Sequence, residues 1–462
     1  MTVLKGTDRN MDINETFRYL NAGLPEDIRR RKLHGDFAGA LRLIDRALAQ
    51  DIPDALRNCL TVQREMISRL PGGFPYTREE ALALVRAAIS DFTEAEFDEL
   101  VDAGQIRWIY VDGQPRYFNR FFDSLCKSIP DIARRAEKTD SRTGPLDRCV
   151  QAMKERGKTQ TRIRIRESLR LKDENFTPGL FVRAHLPLPI ANEAQGDIII
   201  EKVFPAHGKP APEDALQRTV CWEETMEENH EFYVEYSYTR TSVYHDADHL
   251  AAGAEQPDFD TGEEQPHIVF SPLIRMLAEE LADGVNDPLE KARRFYDYIT
   301  LHMAYTYMPE YFVLEDIPGE CARSMTGDCG VFALVFVTLC RCAGIPAQWE
   351  SGLTAEPDFI GPHDWARFYV APHGWLYADP SYGISAKRSG NEERRKFYFG
   401  NLDPFRMAAN RAFQAPFTVP KRHWRADPYD NQTGEMETAE RGLRYEEFER
   451  DREILLCREL EH

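Results

Sequence analysis

The sequence contains no uninterrupted apolar run of the roughly 18–20 residues that a membrane-spanning helix requires. Its opening stretch, MTVLKGTDRNMDINETFRYLNAG, also lacks the apolar centre of about 7–15 residues that marks a secretory signal peptide. These two absences argue against a membrane-embedded protein and against a secreted one. We therefore expect a cytoplasmic protein without a membrane partner.

Positive charge is also scarce in this chain. The 58 Lys and Arg residues are outnumbered by 77 Asp and Glu residues, which gives a net charge of -19 at pH 7. Nucleic-acid binding depends on cationic side chains that neutralise phosphates, so we expect no nucleic-acid partner. The balance of 42% hydrophobic, 29% charged and 11% aromatic residues is typical of a globular chain with real cores.

The cysteines lack the pattern of a disulfide framework or of a zinc site. There are nine of them, an odd number, spread along the chain without a Cys-x-x-Cys pair. His245 and His249 have a spacing that could place two imidazoles on one helical face, but their segment is an acidic linker without helical apolar periodicity. We expect reduced thiols, no metal and no cofactor.

The apolar spacing divides the 462 residues into three regions. Residues 1–150 have helical periodicity, and residues 76–120 resemble a winged helix, with helices followed by a hairpin that turns at Asp112-Gly113. The charge of residues 76–120, with nine acidic and five basic side chains, disfavours DNA binding and leaves packing or partner binding. The polar stretch 136–160 predicts a domain boundary.

After that boundary the apolar period changes from helical spacing to two. Short alternating segments between turn residues over 160–250 predict a small antiparallel β-sandwich. Residues 268–462 are predicted to form the catalytic region with a C-terminal extension. The charged segment 438–460 is predicted to be an amphipathic helix that docks through Leu443, Phe448 and Ile454.

Chemistry is concentrated around Thr326-Gly-Asp-Cys-Gly330, which precedes the apolar run VFALVFVTLCRCAG. The run predicts a buried helix, so Cys329 should lie at its N-terminus, where unpaired N–H groups and the helix dipole favour a thiolate. Cys340 and Cys342 fall within the helix or at its other end and are expected to be structural. The sequence thus predicts Cys329 as a nucleophile.

Two strands after this helix can complete a catalytic triad. HDWARFYV and GWLYADP should be neighbours, which would bring His363 and Asp379 to one end of a sheet facing Cys329. His373, in a Pro-His-Gly turn, is a weaker alternative base. Asp364 should point to the opposite strand face, so it is not expected to orient the imidazole.

The order Gly-Asp-Cys-Gly, His-Asp-Trp-Ala and Gly-Trp-Leu-Tyr-Ala-Asp-Pro, in which the triad members follow one another at spacings of 34 and 16 positions, resembles the transglutaminase-like superfamily of papain-like cysteine enzymes, which includes bacterial transglutaminase-like proteins. The resemblance covers residues 285–383. It implies an α+β papain-like core, preceded here by the helical region and the β-sandwich. It also implies that Cys329, His363 and Asp379 form the triad.

Three further residues are candidates for binding substrate or stabilising the oxyanion. Trp365 shares the strand face of His363 by alternation, Tyr305 lies where such cores often have a tyrosine, and Asp328 directly precedes the nucleophile. For each of the two aromatic residues, core packing is the alternative interpretation.

The predicted function is thiol-dependent acyl transfer at an amide bond through a thioester at Cys329, with a peptide or protein as substrate. We favour hydrolysis, as by a peptidase or amidase. Transfer of the acyl group to an amine, as by a transglutaminase, is the first alternative, and a non-catalytic peptide-binding scaffold is the second.

Overall fold

The computed structural model describes residues 13–138 and 143–460 of the chain. It combines helices with antiparallel sheets, which confirms the predicted α+β class. No helix in these two ranges is long and apolar enough to cross a membrane.

The N-terminal region is helical, as expected. Its elements are α1 (Glu26–Leu33), α2 (Phe37–Leu48), α3 (Asp54–Gly73), α4 (Arg78–Ala88), α5 (Glu94–Asp102), β1 (Trp108–Val111), β2 (Gln114–Tyr117), α6 (Phe121–Ser128), α7 (Pro130–Arg135) and α8 (Thr143–Arg156). The predicted hairpin turn is present, with φ of 50° at Asp112 and 72° at Gly113, because only the left-handed region closes this two-residue turn. The stretch expected to be a boundary instead holds α8, whose Leu146, Val150 and Met153 are buried at helical spacing.

A β-sandwich follows, with strands β3 (Lys158–Leu171), β4 (Leu180–Pro187), β5 (Gln195–Phe204), β6 (Lys209–Pro210), β7 (Thr219–Met226) and β8 (Phe232–Val243). The period-two residues that predicted these strands, such as Ile163, Ile165 and Val234, are fully buried between the sheets.

The catalytic region contains α9 (Pro272–Leu281), α10 (Pro288–His302), β9 (Ala304–Tyr305), α11 (Ile317–Ser324), β10 (Thr326–Gly327), α12 (Cys329–Cys342), β11 (Ala347–Glu356), β12 (Phe359–Val370), β13 (Gly374–Ala378), α13 (Pro380–Arg388), α14 (Glu392–Phe397), β14 (Phe399–Gly400) and β15 (Arg406–Asn410). Five of the strands form an antiparallel sheet in the order β14-β13-β12-β11-β15. Helix α12 is buried along nearly its whole length and packs on β12 and β11 of this sheet.

The prediction of a C-terminal helix is wrong. The chain ends in β16 (Glu435–Thr438), which pairs with β4, and β17 (Phe448–Glu459), which pairs with β3. The apolar residues of this segment do not recur at three or four positions, and alternate positions from Phe448 to Ile454 point inward in the strand. The sandwich predicted at 160–250 is therefore completed by strands from the far end of the chain, giving the sheets β16-β4-β7-β6 and β17-β3-β8-β5.

Candidate active site

Cys329 is the first residue of α12, as predicted. Asp328 caps the helix by accepting a hydrogen bond from the Val331 backbone N–H at 3.3 Å, and the Tyr311 hydroxyl donates to the same carboxylate oxygen. The Cys329 backbone N–H belongs to the first helical turn, and no acceptor for it occurs within the described ranges. The thiol is half-buried and lines a pocket, so a substrate can reach it.

His363 and Asp379 form the second part of the site. His363 lies on β12, and Asp379 follows β13, which pairs antiparallel with β12. His363 Nε2 lies 2.7 Å from Asp379 Oδ2. Because that contact places the ring proton on Nε2, Nδ1 is left as the acceptor that a general base needs.

Asp379 is fully buried and held from several sides. Its Oδ1 accepts from the Tyr382 backbone N–H at 2.9 Å and from the Ser381 hydroxyl at 3.2 Å, while Oδ2 lies 3.0 Å from Arg406 Nη1. Burial opposes ionisation, but the electrostatic attraction and hydrogen bond of His363, the charge of Arg406 and the hydrogen bond from the Tyr382 backbone N–H outweigh it and lower the pKa of Asp379. The carboxylate is therefore ionised and fixed behind the imidazole.

Arg406 is a site residue that the sequence analysis missed. It lies on β15, is fully buried, and forms ion pairs with Asp379 and, at 2.6 Å, with Asp403. Its segment, residues 401–437, is rich in turn residues, and no spacing relates Arg406 to the three motifs. The pairing of β15 with β11 brings it to the triad.

The thiol does not bond to the imidazole in this structure. Cys329 Sγ lies 3.1 Å from Asp364 Oδ2, and within the described ranges no hydrogen bond joins Sγ to His363. Asp364 was expected on the opposite strand face. The register of β11 against β15 shifts between Ser351 and Gly352, the residues that face Asp364 and His363, and such a bulge twists a sheet locally.

The surroundings of Cys329 also change its titration. Burial and the nearby carboxyl groups of Asp364 and Asp328 raise the pKa of the Cys329 thiol well above its usual range. Burial lowers the pKa of His363, so the ring is neutral at rest. The expected helix-terminal stabilisation of a thiolate is thus outweighed, and the resting pair is a thiol and a neutral imidazole.

Cys329 and His363 open into one cavity of about 650 Å³. Its walls come from three parts of the chain: Arg120 and Ser128 from the helical region, Glu356 and Tyr382 from the catalytic region, and Asp427, Asp430 and Gln432 from the C-terminal extension. Three residues of the turn-rich stretch Asp427–Glu435 therefore line the cavity.

The three additional candidates have different surroundings. Tyr305 lines the cavity, and so does Asp328, although its carboxylate is already engaged by Val331 and Tyr311. Trp365 is absent from the wall: it is fully buried and its indole N–H donates to Glu350 at 2.9 Å. The structure thus favours the packing alternative for Trp365.

The other histidines do not join the site. His373, the alternative base, lies outside the cavity and its Nε2 is 2.9 Å from the Ala251 carbonyl oxygen. His249 pairs with Asp246 on an exposed stretch. Across residues 13–138 and 143–460, no group of three or more His, Cys, Asp or Glu side chains is arranged to hold a metal ion.

Comparison with known proteins identifies the domain that carries this site. Residues 275–380, which include all three triad positions, match the model of the transglutaminase-like superfamily. The chain thus contains a transglutaminase-like domain, as the motifs indicated, and this supports a thiol-dependent enzyme in the broad sense.

Individual relatives have low sequence identity to this chain. The uncharacterised protein YebA of Bacillus subtilis is 27% identical over 131 residues, which is 24% of this chain and 18% of YebA, so the match spans less than a fifth of that relative. A solved structure of a candidate cysteine protease from Cytophaga hutchinsonii has 14% identity and a TM-score of 0.44, covering 66% of this chain and 92% of that one. The periplasmic domain of TgpA from Pseudomonas aeruginosa has 13% identity and a TM-score of 0.29, covering 54% and 96%.

Proposed function

We propose that this protein transfers an acyl group from an amide bond to Cys329, forming a thioester, and then to an acceptor. The observation that carries the proposal is the pocket itself, in which the helix-terminal Cys329 and the Asp379-bonded His363 face the same cavity. The match of this region to the transglutaminase-like superfamily supports it.

Cys329, His363 and Asp379 each have a separate role in the proposed reaction. His363 Nδ1 takes the thiol proton, Sγ attacks the amide carbonyl carbon, and the Cys329 backbone N–H donates to the developing oxyanion. His363 then gives its proton to the leaving amine. Asp379 stays ionised and stabilises the imidazolium between these two transfers.

We favour water as the acceptor, which makes the protein a peptidase or amidase. Water is abundant, and the cavity opens to solvent at the thiol. In the second step His363 takes a proton from water, and the water oxygen attacks the thioester carbonyl carbon. The bond from that carbon to sulfur then breaks, and His363 returns the proton to sulfur. An amine entering the same pocket would instead complete a transglutaminase reaction.

A mass-spectrometric experiment tests the proposal. The protein is incubated with a panel of unblocked and glutamine-containing peptides, with and without a primary amine, and the masses of the protein and the peptides are followed. Cleaved peptide, or released ammonia together with conversion of glutamine to glutamate, indicates hydrolysis, whereas released ammonia together with an amine adduct on the peptide indicates transfer. An acyl adduct on Cys329 that disappears in Cys329→Ala supports the thioester.

The matched control is Cys342→Ala, because Cys342 is also half-buried but lies at the opposite end of α12. It should retain both adduct and turnover. Peptide binding without any adduct or product, unaffected by Cys329→Ala, would instead favour the scaffold alternative.

A further inference from the structure

Asp364 lies against the nucleophile and is firmly held there. Its Oδ2 is 3.1 Å from Cys329 Sγ, and its Oδ1 accepts a hydrogen bond from Gln432 Nε2 at 2.9 Å. The same Gln432 nitrogen is 3.0 Å from the His363 carbonyl oxygen. One amide from the C-terminal extension therefore fixes both the carboxyl that contacts sulfur and the backbone of the catalytic base.

The start of α12 is shaped to admit this carboxyl. A Cβ atom on Gly330 would lie 3.0 Å from Asp364 Oδ2 and 2.4 Å from the Tyr311 hydroxyl oxygen. Any side chain at position 330 would therefore displace one of these neighbours. Glycine at this position is what allows Asp364 to reach the helix terminus beside the thiol.

The His363 imidazole, by contrast, has one ring nitrogen that is not hydrogen-bonded within the described ranges. His363 uses Nε2 for Asp379, and within the described ranges Nδ1 has no hydrogen-bond partner. A cysteine side chain has one rotatable bond with three staggered positions, so Sγ can change neighbours without backbone movement.

We infer that Asp364 is a positioning residue that holds the Cys329 thiol in a resting position, and that catalysis requires Sγ to leave Asp364 for His363 Nδ1. The inference rests on the proposed function, because it takes Cys329 as the nucleophile. It adds a step before the chemistry. The thiol proton passes to Nδ1 only after the move, giving a thiolate and an imidazolium, while Asp364 keeps its own proton.

The charges around Asp364 explain why it can keep the thiol neutral. Burial and the neighbouring Asp430 raise the pKa of Asp364 well above its usual range, with smaller contributions from Asp328 and Asp427. The other charged or titratable groups facing this cluster include Tyr311 at Asp328, Glu435 near Asp427 and Asp430, and two cations, Arg107 toward Asp328 and Arg425 toward Asp427 and Asp430. A neutral carboxyl gives the thiol a hydrogen-bond partner without drawing off its proton.

Alkylation kinetics test the inference without needing a substrate. The rate of iodoacetamide labelling at Cys329 is measured by peptide mapping at several pH values in the wild type, Asp364→Ala and Asp364→Leu. Release of the thiol should make labelling at pH 7 roughly 2–10-fold faster in Asp364→Ala, the factor that loss of one ordinary hydrogen bond provides. Adding His363→Ala should cancel the gain, because the released thiol then has no base.

Asp427→Asn is the matched control. It removes a carboxyl from the same cluster without touching sulfur, so it should change the labelling rate less than Asp364→Ala does. Thermal unfolding checks each variant, and Asp364→Leu, which keeps the side-chain size but has no hydrogen-bond acceptor, carries the test if the alanine variant does not fold.

The possible outcomes distinguish the positioning role of Asp364 from the proposed function of Cys329 as the nucleophile. Unchanged or slower labelling in the Asp364 variants, or an equal gain in Asp427→Asn, overturns the positioning role and leaves the nucleophile in place. Labelling of Cys329 that is no faster than that of Cys342, with no dependence on His363 in any variant, overturns the proposed function itself.

Discussion

The three side chains of the proposed triad should differ in how much activity depends on each of them. Cys329 is half-buried and small, so Cys329→Ala should abolish turnover while leaving the fold intact. His363→Ala should be nearly as damaging because it removes both base and acid. Asp379→Asn keeps shape and hydrogen bonding, and we expect a loss smaller than the roughly 10⁴-fold seen for the corresponding change in a serine protease.

A matched kinetic series on an identified substrate measures this order. Circular dichroism and thermal unfolding of each variant separate lost chemistry from lost structure. An Asp379→Asn enzyme as inactive as Cys329→Ala would contradict the order, and full activity in Cys329→Ala would contradict the enzymatic function.

The carboxyls near the thiol should make stability depend on pH. Burial raises the pKa of Asp430 to about 6. Between the ordinary carboxyl pKa and 6 the folded state binds more protons than the unfolded state, so the free energy of unfolding falls as pH rises through this window. Asp430→Asn removes that loss. The free energy of unfolding of the variant should therefore rise relative to that of the wild type as the pH increases from pH 4 to pH 8.

Urea unfolding across this pH range gives the measurement. Glu99→Gln, an exposed carboxylate on α5, is the control and should leave the pH dependence unchanged. A constant stability difference between Asp430→Asn and the wild type over the whole range would contradict the expected linkage.

Elements with a strong local pattern were predictable from sequence. Helix α12 has an unbroken apolar run, and β12 and β13 are joined by a short turn, so the position of Cys329 and the pairing of His363 with Asp379 followed from neighbours in the chain. The contact of Asp364 with sulfur did not follow, because alternation predicts the strand face of a side chain but not which element packs against that face.

Contacts between segments that lie far apart in the sequence could not be predicted either, because no local pattern of residues encodes them. Strand β17 was taken for a helix because its many charges hide the alternation, and its partner β3 lies almost 280 residues away. Arg406 joins the site through the pairing of β15 with β11, which has no signature in either strand. The triad roles and the cytoplasmic location stay predictions.

Arg406 is expected to stabilise one end of the five-stranded sheet through its buried ion pairs. It links β15 to Asp379 after β13 and to Asp403, all with fully buried side chains. Arg406→Met leaves buried carboxylates without their cation, so the free energy of unfolding should drop by about 3–5 kcal/mol. Urea unfolding at pH 7 measures the drop.

Arg323→Met is the control, since Arg323 also contacts two carboxylates, Asp316 and Glu320, but is exposed. Exposed ion pairs are worth about 1 kcal/mol or less. Equal losses in the two variants would show that burial does not set the strength of the Arg406 contacts.

The molecule as a whole is more integrated than three successive domains would be. Phe17, Val62 and Met66 of the helical region belong to the same hydrophobic cluster as the buried face of α12. Leu353 and Met407 of the catalytic sheet join the cluster of the sandwich. The active-site cavity lies where these regions meet, so the helical region contributes to the site and not only to a separate partner surface.

This arrangement predicts a role for Arg120 in substrate binding. Its guanidinium carbon lies 3.4 Å from the ring centroid of Tyr307, and the neighbouring Ser124 hydroxyl accepts a hydrogen bond from the Tyr307 backbone N–H at 3.0 Å. Arg120 and Tyr307 thus form a wall of the cavity that belongs to two regions. A wall residue away from the reacting atoms contacts bound substrate and transition state alike, so Arg120→Ala should raise KM with little change in kcat.

Steady-state kinetics on an identified peptide substrate test this expectation. Arg134→Ala, at an exposed position on α7 of the same helical region, is the control and should leave both constants unchanged. Since Arg120 does not touch Cys329 or His363, a fall in kcat at constant KM would contradict the expectation. The helical region would then act on the geometry of the nucleophile and base, and iodoacetamide labelling of Cys329 in Arg120→Ala should detect that change directly.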